Sequence, residues 1–438
     1  MRRFTFLPWD TYSWKRAFAW SGNSGRAMFV LMLAEFVQLP DAPGAITGHQ
    51  SAISIWLIRA PLTFLAALLV LVQPSFPRLG MHDLRLWYLV YAGYFALSMA
   101  WSTSVAATAG KALELIIAIL IILQASKGKD ALRRLEGIYR LTLLLSSSLG
   151  LITVVGFLAG SPYFREKKVG IFSQYTAFSP FYSGNGLGIL SIALLLVVFA
   201  EWQIGGLSLV KALPQGLFSM GVFAISSSRT SLGILLLGLF FVLFRRSKAM
   251  LVGFAISLAG IAYLFGGAIF NRLRENQSQG NLDNLTGRTV MWVAAFKDWQ
   301  KHPWLGYGGG VGGKYVLAHI GNSALEVLSN LHNGFLECLT GLGVFGFILA
   351  VSIFIICTFR VLRMWKRYPA YAGLYIWIIS IWIDSMMGMG ALAWMDYRVV
   401  IYLLLIAQTD VLRRQGWFIQ QQVQHRLMED TESEMVYV

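Results

Sequence analysis

GFLECLTGLGVFGFILAVSIFIICTF, residues 334–359, carries a single charge, Glu337, in a run that is otherwise apolar or small. About 20 such residues in a helix cover the roughly 30 Å hydrocarbon core of a bilayer, so the run reads as a membrane-spanning helix. Comparable runs recur near 27–40, 51–72, 86–101, 108–125, 138–160, 186–202, 207–226, 230–244, 250–269, 371–392 and 397–411. The pattern predicts an all-α polytopic membrane protein with about twelve transmembrane helices. Composition agrees: of 438 residues 56% are hydrophobic and only 13% charged, against about a quarter charged in a soluble domain. A water-soluble protein is excluded.

The cations give an orientation, because Lys and Arg accumulate in cytoplasmic loops. Lys127, Lys129, Arg133 and Arg134, then Arg245, Arg246 and Lys248, then Arg360, Arg363, Lys366 and Arg367, then Arg413 and Arg414 all fall on the side of the N-terminus. The short loops of the other side hold only Lys111, Arg229 and Arg398. Both termini are therefore expected in the cytoplasm. Lys and Arg exceed Asp and Glu by 15, and in a membrane protein that excess serves orientation and anionic head groups before it serves nucleic acid.

Two outer segments run against this rule. Residues 161–185 carry Arg165, Lys167 and Lys168, and residues 270–333 carry Arg272, Arg274, Arg288, Lys297, Lys301 and Lys314. An anionic ligand on the outer face accounts for them; so does the weaker hold of the rule over long loops. The N-terminus, MRRFTFLPWDTYSWKRAF, lacks the uninterrupted apolar core of a cleaved signal peptide. Cys338 and Cys357 lie in one helical run, too far apart for a disulfide.

The chain divides into helices 1–9 over residues 1–269, an outer loop at 270–333, helices 10–12 over 334–411 and a cytoplasmic tail at 412–438. Within the loop, Thr286 is placed to cap a helix through RTVMWVAAFKDWQKH, with Met291, Trp292, Ala295, Phe296 and Trp299 at helical spacing. One apolar, aromatic face suits the membrane interface and puts Arg288 in the first turn, where a lipid phosphate would sit. Its alternative is a Trp-anchored helix whose arginine snorkels. GYGGGVGGKY, residues 306–315, has phosphate-loop spacing from Gly308 to Lys314, but Tyr315 replaces the magnesium-binding hydroxyl and no strand precedes it. A hinge or a close backbone approach is expected there instead. His332 and Asn333 stand at the mouth of the tenth helix, as a proton acceptor and its support or as a capping pair. The turn SSSRTS at 226–231 puts Arg229 near the interface, where a charge needs a partner. Glu35 and Arg59 on adjacent helices read as a structural ion pair. The outer loops contain no DxD, HExxH or Cys/His cluster, so no metal site is expected.

Three stretches resemble the O-antigen ligase and polymerase superfamily of membrane glycosyltransferases: SSSRTSLGILLLG at 226–238, GRTVMWVAAFKDWQKHPWLGYGGG at 287–310 and HNGFLECLTGLGVFGF at 332–347. Trp101 and Ser102 add a smaller match, and SPFYSGNGLGI at 179–189 loosely resembles a sugar-polymerase pattern. The resemblance implies a GT-C-like bacterial inner-membrane enzyme with its active loop, including short interfacial helices, in the periplasm. It implies transfer of a glycan from undecaprenyl pyrophosphate to a hydroxyl acceptor, without metal, nucleotide or other cofactor. The partners implied are that lipid-linked donor, a glycolipid acceptor such as lipid A core or a second lipid-linked glycan, and membrane lipids, with no nucleic acid. A diphosphate leaving group needs fixed positive charge, for which Arg229, Arg288, Arg165, Lys167 and Lys168 are the candidates. The acceptor hydroxyl needs a base, for which His332 is the candidate, with Asn333 and Tyr307 in support.

A flippase for lipid-linked oligosaccharides is the rival from another class, but it calls for midplane charges in two related halves, and no internal repeat is present. The topology is open to test. Cysteines introduced at Gln279 and Gln420 are expected to react with an impermeant maleimide from opposite sides of the membrane; labelling of both from one side overturns the orientation.

Overall fold

The computed structural model describes residues 10–36, 50–72, 74–166, 176–177, 184–203, 207–226, 228–246, 248–249, 252–253, 255–256, 259–260, 288–319, 330–368, 371–388, 392 and 396–435. Its helices are α1 (Thr11–Phe36), α2 (Gln50–Leu71), α3 (Leu84–Leu97), α4 (Val105–Ala125), α5 (Ala131–Leu158), α6 (Gly184–Gln203), α7 (Leu209–Ser226) and α8 (Arg229–Arg246). They continue as α9 (Arg288–Trp299), α10 (Gly312–Ala318), α11 (Gly334–Arg367), α12 (Ala372–Tyr375), α13 (Trp377–Met387) and α14 (Tyr397–Met435). The only strands among the described residues are the two-residue pair Arg165–Glu166 and Thr176–Ala177.

Five of the described helices are long and apolar enough to cross a membrane: Val105–Ala125, Ala131–Leu158, Asn185–Gln203, Leu209–Ser226 and Gly334–Arg367. Shorter apolar helices run over Arg59–Leu71, Thr230–Phe244 and Ala372–Met387. Most of the expected span at 250–269 lies outside the described residues.

Three boundaries differ from the sequence reading, each for a physical reason. The helix placed at 27–40 is preceded by a helical stretch from Thr11, the two meeting at a break at Gly22, where φ is +58°. Hydropathy misses the first stretch because polar residues pack beside its apolar ones: Ser21 and Ser24 are buried, and Ser24 Oγ donates to Gln124 at 3.0 Å. Gly137 of α5 lets α1 approach closely at Ser21, since a Cβ there would lie 2.5 Å from the Ser21 nitrogen. The run at 371–392 is helical over α12 and α13, with Ile376 between them also in the right-handed helical region, and it stops before Gly388, whose backbone is extended. The tail expected from 412 continues α14 as one helix to Met435.

The ion pair read between Glu35 and Arg59 is a triad, because Arg59 also reaches Glu114 at 3.1 Å. A larger network closes the end of the bundle where α3 begins and α11 finishes. Asp410 of α14 is wholly buried and accepts from the Leu84 and Arg85 amides, at 3.2 and 3.0 Å, and from the Arg85 Nε at 3.2 Å. Arg360 donates to its other oxygen, and Arg85 reaches Ser126 at 2.8 Å. Asp83 holds Arg413 and Arg414. Burial would raise its carboxyl, but Arg414, the Gly80 amide and Arg85 outweigh that and hold it below the usual carboxylate range. Several cations that mark the orientation are therefore internal fastenings as well.

Two of these carboxylates make a graded test. Asp410→Ala takes from Arg85 and Arg360 the buried carboxylate they share and leaves Arg85 only Asp83 at 3.8 Å; removing one partner of a buried pair costs about 3–5 kcal/mol. Arg413 and Arg414, the hydrogen-bonded partners of Asp83, are more than a third exposed, so Asp83→Ala is expected to cost less because solvent screens them. Thermal unfolding in detergent checks the order; equal losses refute it.

Candidate functional site

At the opposite end of the bundle, α9, α10 and residues 300–311 form a small lobe on the first turns of α11. Met291 and Ala295 of α9 pack with Val316, Leu317 and Leu331, flanked by Trp292 and Leu336. The apolar residues of α9 therefore do not share one face: Met291 and Ala295 turn into the lobe, while Val290, Val293 and Phe296 are exposed. Thr286, the expected cap, lies outside the described residues.

The lobe is fastened by main-chain hydrogen bonds. At Gly343 φ is +64° and the α11 helix breaks. Val344 N donates to Pro303 O at 2.9 Å instead of to the carbonyl one turn earlier. The carbonyls that the break releases find other donors: Thr340 O accepts from Tyr307 N at 2.9 Å, Gly341 O from Gly308 N at 2.8 Å and Leu342 O from Tyr94 OH at 3.1 Å. A Cβ at Gly306 would lie 2.5 Å from Thr340 O, and one at Gly343 2.2 Å from Trp304 O. The glycine-rich stretch is thus a close backbone approach, and the amides of Gly306, Tyr307, Gly308 and Gly309 are committed to protein. On its far side Ser98 receives the Gly309 amide at 2.8 Å, Thr108 donates to Gly309 O at 3.1 Å and Lys111 to Gly310 O.

His332 stands at the junction of lobe and bundle. It is half-buried, and its φ of +50° is the only positive value of a non-glycine residue among those described. Its amide donates to Asn330 Oδ1 at 2.9 Å. Asn333 caps α11, accepting from the Phe335 and Leu336 amides at 3.1 Å each. Trp292 Nε1 donates to Leu331 O at 2.9 Å. That bond ties the residue before His332 to the turn of α9 that follows Arg288, so the structure brings the two segments together.

Arg288 opens α9 half-buried. Burial makes its guanidinium less basic and the charge of Asp384 opposes this; a guanidinium stays protonated throughout. Asp384 in turn pairs with Arg398, whose guanidinium also holds Asp396. Asp396 caps α14, accepting from the Arg398 amide at 2.8 Å and the Val399 amide at 3.2 Å. Asp384 thus pairs directly with Arg398 and acts on Arg288 through its charge, and a buried carboxylate of this kind offsets the cost of cations in a region poor in water.

The other named residues are spread more widely. Arg229 is the first residue of α8, its side chain outside those described. Its turn is set by Ser231, which donates to Ser228 Oγ at 2.7 Å, and by Gly188 of α6, where a Cβ would lie 2.4 Å from Ser228 Cβ. Arg165 donates from Nε to Phe157 O at 2.6 Å and lies over the Phe157 ring, so it closes the end of α5. Lys167 and Lys168 lie outside the described residues. Tyr307 is buried, stacks on Tyr315 and donates to Asp298 O at 3.0 Å. Burial, then the charge of Asp298, pushes its hydroxyl up to about 12. It supports the lobe and has no proton to give near neutral pH. Among the described residues no three His, Cys, Asp or Glu side chains are grouped to hold a metal.

Sequence reasoning passed over Glu337 and gave Lys111 and Arg398 no role beyond orientation. The signal for Glu337 was present, as the one charge in the run 334–359; a charge at that place asks for a partner.

No curated protein matches the chain. Residues 215–351, which span the SSSRTS turn, the lobe and the start of α11, match the family model described as O-antigen ligase, so over this part the chain is similar to the O-antigen ligase superfamily.

Proposed function

We propose that the chain is a membrane glycosyltransferase that moves a glycan from undecaprenyl pyrophosphate to a hydroxyl acceptor at the periplasmic face of the bacterial inner membrane, of the ligase type with lipid A core as acceptor. The observation that carries this reading is the Trp292–Leu331 bond, which joins the helix of Arg288 to the segment of His332. In this reading about twelve spans carry the periplasmic loop 270–333 above them, with both termini in the cytoplasm. In the same reading the span at 250–269 returns the chain from the basic end of α8, Arg245 and Arg246, to the periplasmic loop.

The chemistry follows from the charges. As the bond from the anomeric carbon to the pyrophosphate oxygen breaks, negative charge gathers on the leaving group, and Arg288 and Arg229 neutralise it. The acceptor oxygen forms the new bond from the opposite side and its proton passes to the His332 imidazole. Asp384, paired with Arg398, supports the charged form of Arg288 through its field. Arg165 has a structural post at the end of α5, so its part in binding the donor is at most attraction of the head group, and Lys167 and Lys168 share that lesser role. Asn333 supports His332 by capping α11.

Purified protein is expected to transfer a polyprenyl-pyrophosphate-linked glycan to lipid A core, equally with and without EDTA. His332→Ala is expected to lower kcat about 10²- to 10⁴-fold with donor binding nearly unchanged, and the wild-type rate to fall as acid protonates the ring. Arg288→Lys is expected to lose most of the activity, because a point charge does not reproduce bidentate pairing with phosphate. Normal turnover in both variants refutes the assignment, and translocation of the lipid without transfer returns the chain to the flippase class.

A further inference from the structure

We infer that Glu337 is the positioning residue of this site: its buried carboxylate, facing Lys111, clamps the backbone of the His332 segment to α10. The inference rests on the proposed role of His332 and adds to it what holds that residue in place.

Glu337 is 3% exposed and lies in the second turn of α11. Its Oε1 accepts from the Leu331 amide at 2.6 Å, and its carboxylate also accepts from the Gly313 amide at the start of α10. The fit at α10 is tight, since a Cβ on Gly313 would lie 2.3 Å from both carboxylate oxygens. Lys111 of α4 is within electrostatic reach of the carboxylate and donates to Gly310 O. Three separate pieces of chain, 330–333, 310–313 and the start of α4, therefore converge on one side chain.

The consequence falls on His332. A left-handed φ in a residue with a Cβ persists only where its surroundings hold it. Leu331 is gripped on both sides, its amide by Glu337 and its carbonyl by Trp292. Past His332, Asn333 fixes the next turn. The imidazole therefore leaves a backbone whose neighbours are pinned in both directions. A carboxylate does this better than a glutamine: either oxygen can accept, and its charge strengthens each bond. A glutamine keeps one neutral oxygen acceptor and puts an NH2 donor in place of the other. Burying a charge in this run is costly, and bridging two amides beside a lysine is the return.

Two variants probe the clamp in different ways. Glu337→Gln removes one acceptor, whereas Gly313→Ala keeps the charge and pushes the carboxylate aside. Both are expected to lower kcat for glycan transfer about ten- to hundredfold while the KM for the lipid-linked donor stays near wild type, the effect of a base displaced by about 1 Å. Hydrogen exchange in a peptide spanning residues 330–336 is expected to quicken in both. A wild-type kcat in both variants, with exchange unchanged, overturns the inference, as does a parallel loss of kcat, donor binding and folded protein. If His332→Ala is inactive while both clamp variants are normal, the proposed function stands and the clamp falls. If wild-type protein transfers nothing, the proposed function falls, and exchange alone decides whether Glu337 holds the segment.

Discussion

The break in α11 at Gly343 is the constraint on which the loop end of the molecule depends. A continuous helix would consume the carbonyls of Thr340, Gly341 and Leu342 in its own ladder and leave the lobe nothing to bind. With the ladder open, those carbonyls need donors, because unpaired backbone groups away from water cost free energy comparable to a lost hydrogen bond. Tyr307, Gly308 and Tyr94 supply them, and Pro303 takes the Val344 amide. Helix and lobe are each incomplete alone, and each completes the other.

This interlock explains the glycines. Gly306 sits where a Cβ would strike Thr340 O, and Gly343 where one would strike Trp304 O. The same stretch superficially fits a phosphate loop, but a phosphate loop presents free amides, whereas the amides of Tyr307, Gly308 and Gly309 are spoken for. Rigidity is the result, and it suits a site whose reacting groups come from different segments of the chain. The two ends of the bundle share a principle. At the base, Asp410 collects Arg85, Arg360 and two amides; at the lobe, Glu337 collects two amides beside Lys111.

How far the sequence disclosed this depends on the kind of signal. Hydropathy located the apolar helices, since each of the five long and apolar enough to cross a membrane coincides with a run visible in the chain. It missed the first half of α1, where serines pack against Gly137 and Gln124, because a window that scores polarity cannot see a polar contact. The α9 helix was legible from its spacing, but the division of its apolar residues between lobe and exterior was not. That division depends on α10 and Leu331, which touch α9 only in three dimensions. Arg165 was read by its charge alone, and its attachment to Phe157 O is a short-range contact that no count of cations reveals. Glu337 was the opposite case: the anomaly was on view in an apolar run, and what it lacked was the knowledge that Gly313 and Leu331 approach it from either side.

The arrangement at Asp384 carries the argument one step further. An arginine bound tightly to a carboxylate is neutralised as a pair and attracts a phosphate weakly. Arg288 escapes this because Asp384 is shared: Arg398 already pairs with it and with Asp396. Asp396 is itself occupied by the first amides of α14. The two arginines and two carboxylates balance in charge, but both carboxylates touch Arg398, whereas Arg288 feels Asp384 through its field. In the proposed function that leaves the Arg288 guanidinium the one to meet the leaving pyrophosphate, on a helix that the Trp292–Leu331 bond ties to the segment of His332.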